Sequence, residues 1–287
     1  MRGEFCFRLL MLVTTQMRFV EFVSSTATTP RDVGVISCPV SKPCACERAD
    51  GRLVLNCREQ NLDRLPAFSH SDELVDELTL AKNRLTELPD SAFRGLRVRR
   101  LVLTRNQLTS VSSAAFAGLE PHLKELRIQL HPAAEFPSQA VAPLTQLRVL
   151  DVVGYGGSSL PDGALASLGL LHELRLTPGG LSRLSPGDVA AMRESLSFID
   201  LSGNPLGAVP TAALATLSNI TEVKLSGCQI ARIGARAFAS STRLRRLDLS
   251  HNHLEVLIVN ITVVAYCTGW TNKNPIYTEM CYECSRK

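Results

Sequence analysis

Aromatic residues make up only 5% of the 287-residue chain, with a single Trp, and no aromatic-studded basic run occurs. Stacking platforms set in positive charge are what a nucleic-acid binder needs, so no nucleic-acid partner is expected. The net charge of +4 is too mild to indicate any other partner class. No Ser-His-Asp order, nucleophile elbow or pair of catalytic carboxylates can be placed in a common cleft, so neither catalysis nor a cofactor is expected. Apolar runs are short. The 11-residue stretch near the end, interrupted by Asn260, cannot span a bilayer, so membrane attachment would need a segment outside this chain. The remaining profile, 45% hydrophobic, is that of a soluble chain with ample material for a core.

What the sequence does contain is a repeat. Val75 to Leu119 writes one pattern twice, placing Leu78, Leu80, Asn83, Leu85, Leu88, Phe93 and Leu96, then Leu101, Leu103, Asn106, Leu108, Val111, Phe116 and Leu119, each 23 residues on. Two leucines separated by one residue have strand spacing, so both point to one side and the residue between them to the other. The chain then turns at Asn, whose buried amide can satisfy backbone groups of neighbouring coils. Seven apolar side chains contribute roughly 1.5 to 3 kcal/mol each when buried. Ordering about two dozen residues costs at least about 1 kcal/mol apiece. One copy therefore cannot fold alone, and stability requires stacking with capped ends.

The period continues at 23 to 25 residues through Leu126 and Ile128, Leu150 and Val152, Leu174 and Leu176, Ile199 and Leu201, Val223 and Leu225, and Leu247 and Leu249. A second apolar column, Phe93, Phe116, Val141, Leu165, Val189, Leu214 and Phe238, marks the return path of each coil. The Asn column holds at Asn83, Asn106, Asn204 and Asn252 but changes to His131, Tyr155, Gly179 and Cys228 in between. Pro132, Gly154, Gly156, Gly157, Pro178 and Gly180 gather where repeats three to five leave the strand, which predicts a weaker ladder there, with looser coils or bulges. Cys228 reads as a buried thiol.

Residues 1–29 have features of a weak secretory signal, with Arg2 and Arg8 before the apolar run Leu9 to Val13, but Arg18 and Glu21 interrupt it; a disordered extension is the alternative. Residues 30–37 read as linker. Cys38, Cys44, Cys46 and Cys57 then fall within twenty residues with no His at ligand spacing, which favours two disulfides over a zinc site. With the repeats that follow, this cluster resembles the cysteine-rich N-terminal cap of extracellular leucine-rich repeat proteins, the class of Toll-like receptors, Slit, chaoptin-like adhesion proteins and small proteoglycans. The resemblance implies pairing of Cys38 with Cys46 and of Cys44 with Cys57, and Cys is a family alternative in the Asn column. The cap is expected over residues 38–73 and about eight repeats over 74–257. Residues 258–287 carry no cap of the family's C-terminal kind and are expected to be an atypical tail, with Cys267, Cys281 and Cys284 unassigned.

The resulting fold class is α/β: a right-handed solenoid, or horseshoe, with a concave parallel β-sheet and an irregular or short-helical convex side. On the concave face, one outward column reads Thr79, Val102, Arg127, Asp151, Arg175, Asp200, Lys224 and Asp248, so its last six rungs alternate in sign. At a strand separation of about 4.8 Å these charges are expected to pair across strands and pin the register. The neighbouring column, Glu77, Arg100, Glu125, Val149, Glu173, Phe198, Glu222 and Arg246, sets Phe198 among charges, and an aromatic beside Arg is a typical binding anchor. A protein-binding face centred on Arg175, Phe198, Asp200 and Lys224 is the candidate site, flanked by Arg127, Asp151, Arg246 and Asp248. Gly154 to Ser158 reads as a rim turn, since a phosphate loop needs a helix N-terminus and a Lys that are missing here. His251 and His253 lack the company a metal site requires. Asn219-Ile-Thr221 and Asn260-Ile-Thr262 are glycosylation sequons. The expected function is extracellular protein binding, as a receptor or adhesion ectodomain by resemblance; the alternative is a secreted matrix organiser that binds fibrils or forms a homo-oligomer.

Overall fold

The computed structural model describes residues 38–233, 237–254, 256–257 and 264–266. Eleven strands form one sheet: β1 (Ala45–Ala49), β2 (Arg52–Asn56), β3 (Leu74–Thr79), β4 (Arg97–Leu108), β5 (Glu125–Leu130), β6 (Val149–Val153), β7 (Glu173–Leu176), β8 (Phe198–Asp200), β9 (Glu222–Lys224), β10 (Arg246–Asp248) and β11 (Val264–Tyr266). Strand order follows chain order, and every pairing after the first is parallel. A parallel sheet needs a crossover between each pair of strands, and each repeat supplies one of nearly constant length.

The Leu-x-Leu pairs from Leu78 and Leu80 to Leu247 and Leu249 line the interior, none more than 3% exposed. The return column is buried too, from Phe93 to Phe238, and Phe93 stacks on Phe116 at 6.2 Å while Phe68 tilts against Phe93 at 6.0 Å. Among the described residues the return segments carry short helices, α1 (Ser138–Val141), α2 (Pro186–Val189) and α3 (Thr211–Leu214), a 3-10 turn at Ala190–Met192, and two-residue parallel pairs, Glu87–Leu88 with Ser110–Val111 and Arg232–Ile233 with Val256–Leu257. Coils of about 24 residues leave too little chain for longer helices.

The first coil differs because, among the described residues, no strand precedes it in the sheet. β1 and β2 form an antiparallel hairpin whose two-residue loop, Asp50 and Gly51, is left-handed at both positions, the geometry that suits the twist of a tight hairpin. β2 then pairs parallel with β3. Disulfides join Cys38 to Cys46 and Cys44 to Cys57, and Cys44 and Cys57 lie in the same buried cluster as Leu53 and Leu55. The open end of the stack is thereby closed by covalent bonds and a hairpin in place of another coil.

Each turn column behaves as one site repeated. Asn83 Oδ1 accepts from the backbone N–H of Gln60 and Leu62 at 3.0 and 3.1 Å, and its Nδ2 donates to Cys57 O and Leu80 O at 2.8 Å. Asn106, Asn204 and Asn252 make the corresponding bonds, bridging their own coil to the one before. The residue just before this column is left-handed at Lys82, Arg105, Gly154, Gly203, Gly227 and His251. His251 therefore occupies a turn position.

Repeats three to five meet the expected irregularity in one place. The register shifts between Leu103 and Leu108 where β4 pairs with the end of β5, the strand of repeat three, whereas β5 to β6 and β6 to β7 stay in register over five and four residues. What changes is the turn. A Cβ on Gly156 would lie 2.1 Å from Pro132 O, and one on Gly180 would lie 2.1 Å from Gly156 O. Gly154 N–H donates to Pro178 O, and Gly180 N–H to Tyr155 O. The turns of these coils stack backbone on backbone, closer than any side chain allows.

The tail expected at 258–287 falls outside the described residues except for β11, which pairs with β10 and extends the sheet by one strand. Cys267, Cys281, Cys284 and Asn260 lie outside them, as does the segment expected to be a signal peptide or extension.

Candidate functional site

The register puts Arg127, Asp151, Arg175, Asp200, Lys224 and Asp248 opposite one another in sequence on β5 to β10. Glu173, Phe198, Glu222 and Arg246 form the adjacent column in the same way. Both columns stand on strands whose alternate residues are locked in the dry interior, so the outward side chains have fixed origins.

The alternating charges do not pair with one another as the spacing predicts. Arg127 Nε meets Glu125 Oε1 at 2.5 Å, Arg175 Nη1 meets Glu173 Oε2 at 2.8 Å, and Arg246 Nη1 meets Glu222 Oε2 at 3.0 Å. Lys224 Nζ lies 3.7 Å from Glu222 Oε1. Arg127, Arg175 and Lys224 thus turn to a glutamate of the neighbouring column, while Arg246 pairs with Glu222 within its own. Aspartate is one methylene shorter, and two of the three are already committed: Asp200 Oδ1 and Asp248 Oδ1 accept from the backbone N–H of Ser202 and Ser250 at 3.0 and 2.9 Å, fastening the turn after the strand. Exposed pairs of this kind contribute a few tenths to about 1 kcal/mol.

Asp151 is the exception. Its Oδ1 is buried and accepts no hydrogen bond, and burial pushes its carboxyl above the usual carboxylate range although Arg127 and Arg175 act against it. The Arg175–Glu173 contact is close but off hydrogen-bond geometry, leaving Arg175 Nη1 also without a hydrogen-bond acceptor. Two opposite charges thus sit on facing residues of β6 and β7 without a mutual bond.

Phe198 lies between the cations. The Arg175 guanidinium carbon is 4.5 Å from its ring centroid and Lys224 Nζ is 5.3 Å away, both within cation–π range. Arg175, Phe198 and Lys224 form one cluster spanning three strands, with Asp200 directly opposite Arg175 and Lys224 in the ladder. The cluster is half-buried and faces solvent, a shape suited to an acidic or amphipathic protein segment.

Toward the cap the same face carries Glu77, Arg100, Glu125 and Arg127 as a connected chain, with Arg100 reaching Glu125 at 2.6 Å and Glu77 at 3.2 Å. Glu125, only 8% exposed, is held by two guanidinium groups. Sequence reasoning missed a further set at the rim where the strands begin: Arg99, Lys124 and Arg148, one in each of three successive repeats at the same position. The signal was legible as a column, two residues before the first buried leucine of each strand.

The sequon residue Asn219 is half-exposed, and its Oδ1 accepts from Arg243. Gly154 to Ser158 forms a turn whose Gly154 N–H is taken by the next coil. Among the described residues, no three His, Cys, Asp or Glu side chains converge as metal ligands, and no helix is long and apolar enough to cross a membrane.

Comparison with known proteins gives a consistent result. The family model described as leucine rich repeat matches residues 73–130 and 194–254. Podocan-like protein 1 of Homo sapiens is 37% identical over 101 residues, 34% of this chain and 19% of that protein. The Oplophorus-luciferin 2-monooxygenase non-catalytic subunit of Oplophorus gracilirostris is 27% identical over 142 residues, 44% of this chain and 38% of that protein. The chain therefore spans well under half the length of these curated relatives. Among solved structures, the Drosophila Toll–Spatzle complex contains a chain that matches with a TM-score of 0.57 at 16% identity, covering 71% of this chain and 28% of that one.

Proposed function

We propose that this chain, which matches the leucine rich repeat model over residues 73–130 and 194–254 and carries two disulfides in its first coil, works outside the cell by binding a protein on the concave face of its sheet. The observation that carries the reading is Phe198 held between Arg175 and Lys224 on a face otherwise made of charged residues. An aromatic gripped by two cations is already ordered, so little rotamer freedom is lost when a partner covers it. The surrounding charges, from Arg127 and Asp151 to Arg246 and Asp248, would steer the partner and set its orientation. The Toll chain with this fold was solved in complex with Spatzle, which supports a protein as the ligand class. The role is that of a receptor or adhesion ectodomain, a binder with no chemistry of its own, and Asn219 on the rim carries a glycan.

The test begins with a panel of purified secreted proteins and ectodomains probed with this chain. Each binder is then measured against the double reversal Arg175→Glu with Lys224→Glu. A loss of at least tenfold in affinity with a changed salt dependence is expected; unchanged affinity and salt dependence would dismiss the site. A mass decrease of the secreted chain on enzymatic deglycosylation, abolished by Asn219→Gln, is expected for the glycan.

A further inference from the structure

At the rim where the strands begin, the backbone ties one column of residues rung to rung. Lys124 N–H donates to Arg99 O, Arg148 N–H to Lys124 O and His172 N–H to Arg148 O, each at 2.8 Å. Three cations and an imidazole are therefore held at the strand separation, about 4.8 Å per step. Elsewhere on the sheet charges of opposite sign lie opposite each other; here like charges do, an arrangement that costs stability. Arg99 has Asp76 at 2.7 Å, but Lys124 reaches only the amide of Gln146, and neither Lys124 nor Arg148 has a carboxylate partner among the described residues. Arg99, Lys124 and Arg148 line one groove of about 390 Å³ together with Arg52 of the cap. The carboxylates in that groove are already engaged: Asp76 by Arg99, Glu77 by Arg100, and Glu125 by Arg100 and Arg127.

We propose that this rim row, Arg99, Lys124 and Arg148, together with Arg52 of the same groove, binds a linear sulfated polysaccharide that runs across the strands. The groove borders the concave face but includes none of Arg175, Phe198 and Lys224, so this proposal does not depend on the proposed function. A sulfated polysaccharide carries an anion on nearly every sugar, a spacing of the same order as the rungs, so one chain can meet successive cations. Guanidinium forks take sulfate bidentately, and Lys adds a point charge. An extended acidic peptide suits the row less well: its side chains alternate in direction, so same-side carboxylates recur at about 6.6 Å, out of step with the strands. A single-stranded nucleic acid would also want aromatic platforms, and the groove has none.

The probe is a heparin-derived octasaccharide measured by surface plasmon resonance against the full chain over a range of salt. The wild type is expected to bind. Lys124→Gln with Arg148→Gln is expected to lose at least tenfold in affinity and to flatten the slope of log affinity against log salt by about 1.5, in proportion to the two charges removed. Arg175→Gln with Lys224→Gln, on the concave face, should leave octasaccharide binding unchanged. Thermal melts establish that each variant is folded, and the two single variants carry the test should the double variant unfold. The proposal is overturned if the wild type ignores the octasaccharide, if the rim variants bind it with the same affinity and salt slope, or if oligoglutamate binds as tightly and loses the same amount on the same substitutions.

Discussion

The coils that begin the array and the coils in its middle solve one problem in two ways. Where the chain leaves each strand, backbone groups must find partners away from water. In the coils of Asn83 and Asn106 a side-chain amide serves them, and the backbone can keep its distance. In the coils of Tyr155 and Gly179 the amide is gone and neighbouring turns close onto each other, as Gly156 on Pro132 and Gly180 on Gly156. The lesson is that the turn column requires satisfied donors and acceptors, not asparagine as such. Glycine provides them by removing the Cβ that would hold two backbones apart.

The largest effect is expected at the amide. Asn106→Ala removes the side-chain partner of Leu85 N–H and of the Leu103 carbonyl, both buried, while the Leu80 carbonyl keeps Asn83, and should cost about 3 kcal/mol in a denaturant melt. A loss below about 1 kcal/mol would mean that the backbone closes up there too, erasing the distinction. Next comes Gly180→Ala, whose Cβ has only backbone to meet, and a destabilisation of about 2–3 kcal/mol is expected in the same assay.

Cys228 offers an intermediate case, a coil in which a thiol donates to Leu201 O at 3.2 Å where Asn would both donate and accept. Burial pushes this thiol up to about 11 from 9.0. The protonated form is thus favoured in the folded chain, so its stabilising contribution is whole below pH 9 and is lost as pH rises toward 11. Wild type should lose about 2–3 kcal/mol over that window relative to Cys228→Ala. Native alkylation at pH 8 should be slow by the same logic, with roughly a thousandth of the thiol ionised. The smallest effect is expected at Gly187, where an added methyl would meet only open space; Gly187→Ala in the first turn of α2 should stabilise by about 0.5 kcal/mol, and its contrast with Gly180→Ala isolates the close approach as the cause.

Most of the architecture was legible because it is periodic. Leucines two apart and coils of nearly equal length leave few ways to bury the apolar residues, and the spacing from Leu78 to Leu249 placed every interior strand position. The Asp50-Gly51 hairpin of the cap is also legible locally, as a dipeptide that suits two left-handed positions, but the cysteine spacing carries no sign of it. The concave columns were legible as columns, but their pairings were not. Reading opposite signs as partners ignored reach: Arg127 and Arg175 bend to glutamates, while Asp200 and Asp248 are occupied by their own turns.

The sequence by itself determined that this chain stacks coil upon coil, because no single repeat buries enough apolar surface to offset the entropy of ordering it. It also determined which residues share a row, since a period fixes register. Only the tertiary structure decided which charge answers which, which aspartate is left unbonded, and that Arg99, Lys124 and Arg148 stand in one groove with Arg52. Those outcomes depend on side-chain length and on the distance between neighbouring coils, and neither is written in the spacing of residues along the chain.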